Sequence, residues 1–504
     1  MVEPFALTKR IRSALSGKLT LRWDKKDALI VALLALAAVT VIFWQLGEGS
    51  LSDYDEADYA QSAREMLWWH DLNTPRWNGM EFFDKPPVTQ WLTVVAYKMF
   101  GVNEFGARVV PACCGVVVIL MTYVLGRELF GQRAVGLGAA IILLTVNRNL
   151  FSHGYNFVSL ARVGMLDMPL ILAMVVAVWL AWRSKRDPRA LVWLGVPLGL
   201  GLMIKSVAGL QAYGIVALYL LLGLPRSVWW RKELWWGLLV SALVAAPWHL
   251  GQLLIWGRHF GDSYMVSLTI GYVTGDQGHT RDVLYYLRVL QRGFPVLYPA
   301  LAIAVAYGLY RALRYHLRPS QQRERDQAII LLLCWVAVPM ALYNLGRSRI
   351  GWYIIPTYPA LALLTTNWLV SFLRGRWAVV LLLVATLALN PWLPRAGDFN
   401  PDVKKVASYS GYVLSDDSIL VNYWPGSYWI RPSALFYADR PLLLVTDPQA
   451  MQQLLATQGD FYVLADWPDW EPLAHLGDVV YRSGDYVLAR AYRGQSDRLP
   501  QASE

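Results

Sequence analysis

The run Asp53-Tyr54-Asp55-Glu56-Ala57-Asp58-Tyr59-Ala60 follows closely on the apolar span 28–47, and Phe83-Asp84-Lys85-Pro86-Pro87 comes about one short helix later. The first run holds four carboxylates within six residues. Acids at the foot of a hydrophobic span lie at a membrane–water boundary, where a carboxylate stays ionised or has its pKa raised by nearby hydrocarbon. That placement suits a general base acting on a substrate delivered from the lipid side. The plainer alternative is a solvated acidic loop.

The rest of the chain has to be read as membrane protein. Of 504 residues, 56% are hydrophobic and 16% charged, against about 25% charged in soluble domains. Twenty-four tryptophans and twenty-seven tyrosines suit bilayer interfaces. The net charge of +10 would suggest nucleic acid in a soluble chain, but here the basic residues fall in short loops between apolar spans, so no nucleic-acid partner is expected. The three cysteines, Cys113, Cys114 and Cys334, all lie in apolar spans and imply no disulfide framework. The N-terminus does not read as a cleavable signal peptide, because no small-residue cleavage site follows its long apolar run.

Eleven spans are read at 28–47, 107–125, 134–150, 163–182, 190–205, 207–224, 234–256, 287–310, 328–346, 350–372 and 377–394. The short pair around Lys205 widens the range to eleven to thirteen. Lys9, Arg10, Arg12, Lys18, Arg22, Lys25 and Lys26 put the N-terminus in the cytoplasm, and every second connection is then basic as well. The predicted class is an all-α polytopic protein of the plasma (inner) membrane, with residues 1–396 as the membrane unit. The first outer loop, 48–106, carries the acidic motif. Within it, 55–69 reads as an amphipathic interfacial helix, and Trp68, Trp69 and Trp77 are placed at headgroup level. A second outer loop covers 257–286. Short β-like runs at Ser418–Val421, Leu442–Val445, Phe461–Leu464 and Tyr486–Ala489, with a helical stretch at 448–457, predict a small outward α/β domain over 397–492, followed by a disordered tail, 493–504.

The ionisable residues near the spans gather at their predicted outer ends. Asp167 opens the fourth span, Lys205 closes the fifth, Arg258 follows the seventh, and Arg347 and Arg349 separate the ninth from the tenth. With Asp55, Asp58, Asp84 and Lys85 they converge on one face, although snorkelling accounts for any one of them alone. Lys85, Lys205, Arg347 and Arg349 suit a lipid phosphate, and either Asp55 or Asp167 suits proton removal from an attacking hydroxyl. Asp53-Tyr54-Asp55 also spells a D-x-D, which leaves Mg2+ or Mn2+ as candidate cofactors. His153, His259 and His279 could join a site, but isolated histidines are more often structural.

Several motifs together resemble the GT-C glycosyltransferases, in particular the protein O-mannosyltransferase-like family 39 and the related lipid A aminoarabinose transferases. They are Asp55-Glu56-x-x-Tyr59-Ala60, Lys85-Pro86-Pro87 ahead of Trp91, Phe100-Gly101 with Arg108, Arg162 with Leu166-Asp167, Lys205-Ser206, Pro247-Trp248, Gly278-His279 and Tyr353-Ile354-Ile355-Pro356. The resemblance implies an inverting transferase that uses a polyprenyl-phosphate sugar such as an undecaprenyl-phosphate sugar outside the membrane, in cell-envelope or lipopolysaccharide glycosylation. Its acceptor would be a hydroxyl or phosphate on a lipid, glycan or protein. It implies Asp55 as base and Asp167 as a second active-site acid. Lys85, Lys205 and Tyr353 would contact the lipid phosphate, helped by Tyr59, Arg258, Arg347 and Arg349. Glu56, Asp58, Asp84, Arg162 and His279 would be supporting residues. The chain departs from the aminoarabinose branch at Asp58, where that branch carries arginine. It also lacks the His-Asn-x-x-Arg pattern near 267–272. Two other readings compete, a transporter or lipid-linked sugar flippase and a receptor-like outer binding module. The first calls for mid-bilayer charges in repeated halves, the second for an outer domain that carries all the binding.

Overall fold

Every stretch read as a span contains helix within the described residues, which are 23–145, 156–267, 281–294, 296–315, 320–346, 349–389, 393–394 and 397–493 of a computed structural model. The bundle helices are α1 (Lys25–Phe43), α2 (Asp55–Trp68), α3 (Val88–Phe100), α4 (Glu104–Phe130), α5 (Arg133–Leu143), α6 (Asp167–Arg183) and α7 (Ala190–Lys205). There follow α8 (Leu210–Gly223), α9 (Lys232–Trp256), α10 (Tyr285–Gly293), α11 (Tyr298–Leu313), α12 (Ser320–Leu345), α13 (Tyr358–Phe372) and α14 (Gly375–Leu389). By length and composition, five described stretches suffice to cross a bilayer: α1, α4, the α7–α8 run, α9 and residues 323–345 of α12.

Small residues set how these helices pack. A Cβ on Gly195 of α7 would lie 2.0 Å from the Gly237 carbonyl oxygen of α9, and one on Gly199 would lie 2.7 Å from the Ser241 carbonyl. Contacts that advance together along both helices mean that α7 and α9 run parallel, with backbones close enough for dispersion to act without large side chains. The connecting α8 therefore runs the other way. A Cβ on Gly209 would meet the Gly201 backbone at 2.4 Å, a distance that nine residues of straight helix could not close. The chain thus reverses just after Lys205 and leaves that lysine at the tip of the turn.

After α14 come α15 (Pro401–Val413), α16 (Pro432–Ala438) and α17 (Pro448–Gln458). They pack with a five-stranded sheet of β3 (Leu420–Tyr423), β4 (Leu443–Val445), β5 (Phe461–Asp466), β6 (Gly477–Ser483) and β7 (Tyr486–Ala491), in the order β4-β3-β5-β7-β6. The first three strands are parallel, and β7 is antiparallel to both β5 and β6. β1 (Arg76–Trp77) and β2 (Met80–Glu81) form a small hairpin within the first loop. The tail from 494 onward lies outside the described residues.

The sheet region and the first loop share one core. Ala57, Ala60, Ala63 and Met66 of α2 cluster with Val403, Ala407, Leu435 and Phe436. Helix α2 is therefore covered on nearly every side, which corrects the expectation of an interfacial helix with one open face. Trp77, expected at headgroup level, is buried at 5% exposure, whereas Trp68 and Trp69 are exposed. Polar groups reinforce the joint. The Arg64 guanidinium lies 4.1 Å from the Phe436 ring and pairs with Asp439 at 3.0 Å. Tyr437 donates to Glu104 at 3.0 Å and accepts from the Leu51 N–H at 2.7 Å.

Candidate active site

Two helices begin on a carboxylate and one ends on a lysine, each matched to the local helix dipole. Asp55 is the first residue of α2, Asp167 the first of α6, and Lys205 the last of α7. The residue before Asp55, Tyr54, sits at φ 64°, and Ser206, after Lys205, at φ 48°. Both are left-handed backbone held by non-glycine residues, a strain that accumulates where side-chain direction matters.

Asp55, Asp58, Tyr59, Asp84, Lys85, Lys205 and Tyr353 line a cavity of about 1980 Å³. Lys205 donates to both oxygens of Asp167 at 2.7 Å, and its ammonium lies 5.2 Å from the Tyr353 ring centre. Lys85 pairs with Asp84 at 2.7 Å, and Tyr59 donates to the other Asp84 oxygen at 3.2 Å. Burial raises the pKa of Asp55; Lys205 and Lys85 pull it down, while Asp84 and Asp167 push it up. Those couplings bring Asp55, Asp167, Lys85 and Lys205, far apart in the chain, into one electrostatic unit. Burial also raises Asp58 well above the ordinary carboxylate range, with Asp55, Asp84 and Asp53 adding repulsion. It does the same to Tyr59, which therefore keeps its proton as a donor.

Several expected site residues lie elsewhere. Glu56 is fully buried and accepts from Arg108 at 2.7 Å, the Gly164 N–H at 2.9 Å and the Ser52 N–H at 2.8 Å. It ties the start of α2 to the turn before α6 and does not reach the cavity. Arg162 caps the end of α1, donating to the carbonyls of Ile42 at 2.8 Å and Trp44 at 2.6 Å. Arg258 is exposed beyond the end of α9, whereas its neighbour His259 lines the cavity. Arg349 is turned to the backbone carbonyls of Asn344, at 2.9 Å, and Arg281. Asp167 stands behind Lys205 rather than on the cavity wall. Arg347, His153 and His279 lie outside the described residues.

The D-x-D is split. Asp53 accepts from Arg431 at 3.1 Å and from the Ser433 N–H at 3.0 Å, so its carboxylate serves the sheet region and is not paired with Asp55 for a metal ion. Among the described residues, no group of three or more His, Cys, Asp or Glu is arranged to hold one.

Two contributors escaped the sequence reading. His249 lines the cavity two residues after Pro247, with Nδ1 2.8 Å from the Ala245 carbonyl oxygen and Nε2 2.8 Å from the Tyr264 hydroxyl. The partners fix the tautomer as Nδ1–H, which leaves Nε2 to accept from the tyrosine. Its signal was the adjacent Pro247-Trp248 pair. The second is the sheet region, which lends Phe399, Trp429 and Pro432 to the walls; no local pattern announces a contact across more than three hundred residues.

The helical bundle, the loop between its first two spans and the cavity they enclose make up a GT-C type fold. A family model described as dolichyl-phosphate-mannose-protein mannosyltransferase matches residues 84–250. The chain is 28% identical over 371 residues to an uncharacterized protein of Aquifex aeolicus (strain VF5), covering 71% of this chain and 69% of that one. It is 30% identical over 338 residues to undecaprenyl phosphate-alpha-4-amino-4-deoxy-L-arabinose arabinosyl transferase 1 of Pseudomonas fluorescens (strain Pf0-1), covering 64% of this chain and 54% of that one. The chain thus spans little more than half the length of the arabinosyl transferase. The crystal structure of ArnT from Cupriavidus metallidurans bound to undecaprenyl phosphate superposes with a TM-score of 0.72 at 19% identity, over 94% of this chain and 99% of that one. The chain thus shares the fold of that transferase over nearly its whole length.

Proposed function

We propose that this chain moves a sugar from a polyprenyl-phosphate donor to an acceptor hydroxyl, with inversion, on the extracytoplasmic side of the membrane. The donor phosphate lies against Lys85, Lys205 and Tyr353. Its isoprenoid chain follows the apolar wall that includes Leu202, Val207, Leu210, Leu342 and Leu345. Asp55 takes the proton of the acceptor hydroxyl as that oxygen bonds to the anomeric carbon. The bond from that carbon to the phosphate oxygen breaks, and the polyprenyl phosphate leaves with the electron pair. The lysines neutralise the charge that develops on it. Asp167 acts through Lys205, which it holds, and Asp84 with Tyr59 sets the direction of Lys85; these are positioning residues.

The observation that carries this reading is Asp55 itself. It faces the cavity, and the largest influences on its charge are burial and the neighbouring Lys205, Asp84, Lys85 and Asp167. A cavity-facing carboxylate that two lysines act on is poised for a proton. The location is supported by the basic connections at the opposite end. There Arg186 pairs with Glu324 at 3.1 Å, Arg231 donates to the Ser184 carbonyl at 3.4 Å, and Arg133 pairs with Asp27 at 2.9 Å, consistent with a cytoplasmic excess of positive charge. We assign residues 1–396 to the membrane unit and 397–492 to an outer domain.

The test is Asp55→Asn in the full chain, reconstituted with radiolabelled lipid-linked sugars and envelope acceptor extract. Transfer should fall by roughly 10²–10⁴, with expression and polyprenyl-phosphate binding kept. Full transfer by the variant removes Asp55 from the base role. Movement of lipid-linked sugar across the bilayer without transfer by the wild type would instead favour a flippase.

A further inference from the structure

The loop between β3 and α16 presents two large aromatic side chains that the fold leaves mostly uncovered. Tyr428 is 92% exposed and Trp429 60% exposed, yet the loop is firmly held. The Trp424 N–H donates to the Val445 carbonyl at 3.1 Å, the Trp429 N–H donates to Ser427 Oγ at 3.1 Å, and that hydroxyl donates to the Trp429 carbonyl at 2.9 Å. Rings that are fixed but uncovered lose little freedom when something flat is laid on them, which is how aromatic residues contribute to binding sites.

Their position says what that is. Trp429 lines the same cavity as Asp55 and meets the buried Trp77 edge-on, with ring centres 6.0 Å apart. Tyr428 borders a second hollow of about 400 Å³, shared with Gly426, Ser427, Leu444 and Thr446. The loop thus contributes side chains both to a small hollow and to the reaction cavity. Arg431 locks it to the catalytic turn, reaching Asp53 at 3.1 Å and Asp466 at 2.9 Å. A ring whose only task was to rest in the lipid headgroups would have no reason to wall the reaction cavity, as Trp429 does.

We infer that Tyr428 and Trp429 form an aromatic shelf on which a sugar ring of the acceptor stacks, so that the acceptor is a glycan or glycolipid headgroup that enters over the sheet region. A sugar ring offers a flat C–H face to the indole and keeps its hydroxyl edge free for Asp55. Arg431, through Asp53, holds the shelf in register with that carboxylate. This inference rests on the glycosyltransferase reading above.

The experiment uses the full chain in nanodiscs, with radiolabelled lipid-linked sugars as donor and the envelope extract as acceptor. The extract is taken untreated, protease-treated or periodate-oxidised, periodate being a reagent that opens sugar rings. Trp429→Ala should raise the apparent KM for extract about 10-fold, change the KM for donor lipid by less than twofold, and leave the saturated rate within threefold. Tyr428→Ala should do the same more weakly, and Trp429→Phe should restore most of the affinity. Periodate should abolish acceptor activity, and protease should spare it. An unchanged extract KM in Trp429→Ala overturns the inference, as does an acceptor that protease destroys and periodate does not. A rise confined to the donor KM would place the rings on the membrane and overturn it too. Absence of transfer by the wild type would instead bring down the underlying glycosyltransferase reading.

Discussion

Removing the ammonium of Lys205 should cost both stability and donor binding, and a second substitution should separate the two. The Lys205 and Asp167 side chains are 8% and 3% exposed and 2.7 Å apart. With an effective dielectric of about 20, their attraction is roughly 6 kcal/mol, much of it offset by the loss of hydration. Lys205→Met keeps the side chain's bulk but leaves Asp167 charged and unpaired in the interior, a fault worth about 3–5 kcal/mol. Asp167→Asn should cost a similar amount by orphaning the lysine. The double variant Asp167→Asn/Lys205→Met buries no lone charge and should be more stable than either single variant, within about 2 kcal/mol of wild type. Denaturation midpoints of the detergent-solubilised protein report this cycle, and polyprenyl-phosphate affinity is measured in parallel. Affinity should fall about 10-fold wherever Lys205 is replaced and should not recover in the double variant. Additive losses in the double variant, or a Lys205→Met protein as stable as wild type, would refute a coupled buried pair.

The Asp55 base should leave an acid limb in the pH profile of transfer. Burial raises its pKa, so activity should fall with decreasing pH before the ordinary carboxylate range is reached. Asp84→Asn removes a repulsive charge and frees Lys85 to attract, both of which favour ionised Asp55; the limb should move to lower pH, and a limb that stays put argues against Asp55. Asp58 is also raised, so its protonated form suits the fold. That contribution is complete below the usual value of 3.8 and is lost as pH rises through the folded value. Asp58→Asn should therefore raise the denaturation midpoint at neutral pH and have little effect in acid, a difference that vanishes if the side chain is well solvated. Arg108→Met removes the donor to Glu56 and to the carbonyls of Leu46, Glu48 and Ser50. It should destabilise by about 3 kcal/mol, and a midpoint within about 1 kcal/mol of wild type would contradict its role as an anchor.

Much of the fold was legible because it is written locally. Twenty-residue apolar runs and basic connections locate the bundle, and Leu442–Val445 and Phe461–Leu464 read correctly as strands because β-branched, aromatic and leucine residues alternate with turn signals. Strand β6 was missed because Gly477-Asp478 and Arg482-Ser483 dilute its apolar run to Val479-Val480-Tyr481. Helix α2 was read with the right boundaries and the wrong surroundings: Gln61, Glu65 and Arg64 look like a solvent face, yet all three are buried, since their partners come from the hairpin and the sheet region. Gln61 donates to Glu65 at 2.8 Å, and Glu65 accepts from the Asn78 and Gly79 N–H groups at 2.6 and 2.9 Å. The same limit explains the site. Asp55, Lys85 and Lys205 stood out as charges at span ends. Glu56, Arg162 and Arg349 stood out in the same way, and sequence alone does not tell a cation aimed at substrate from one aimed at backbone carbonyls.

The claim on which the rest depends is that one outward cavity holds a polyprenyl phosphate between Lys85 and Lys205. Native mass spectrometry of the full chain released from gentle detergent tests it most directly. Wild type should carry a polyprenyl-phosphate adduct that is depleted in Lys85→Ala and further depleted in Lys85→Ala/Lys205→Met. A wild type that carries only ordinary phospholipids, or an adduct that survives loss of both lysines undiminished, would contradict it.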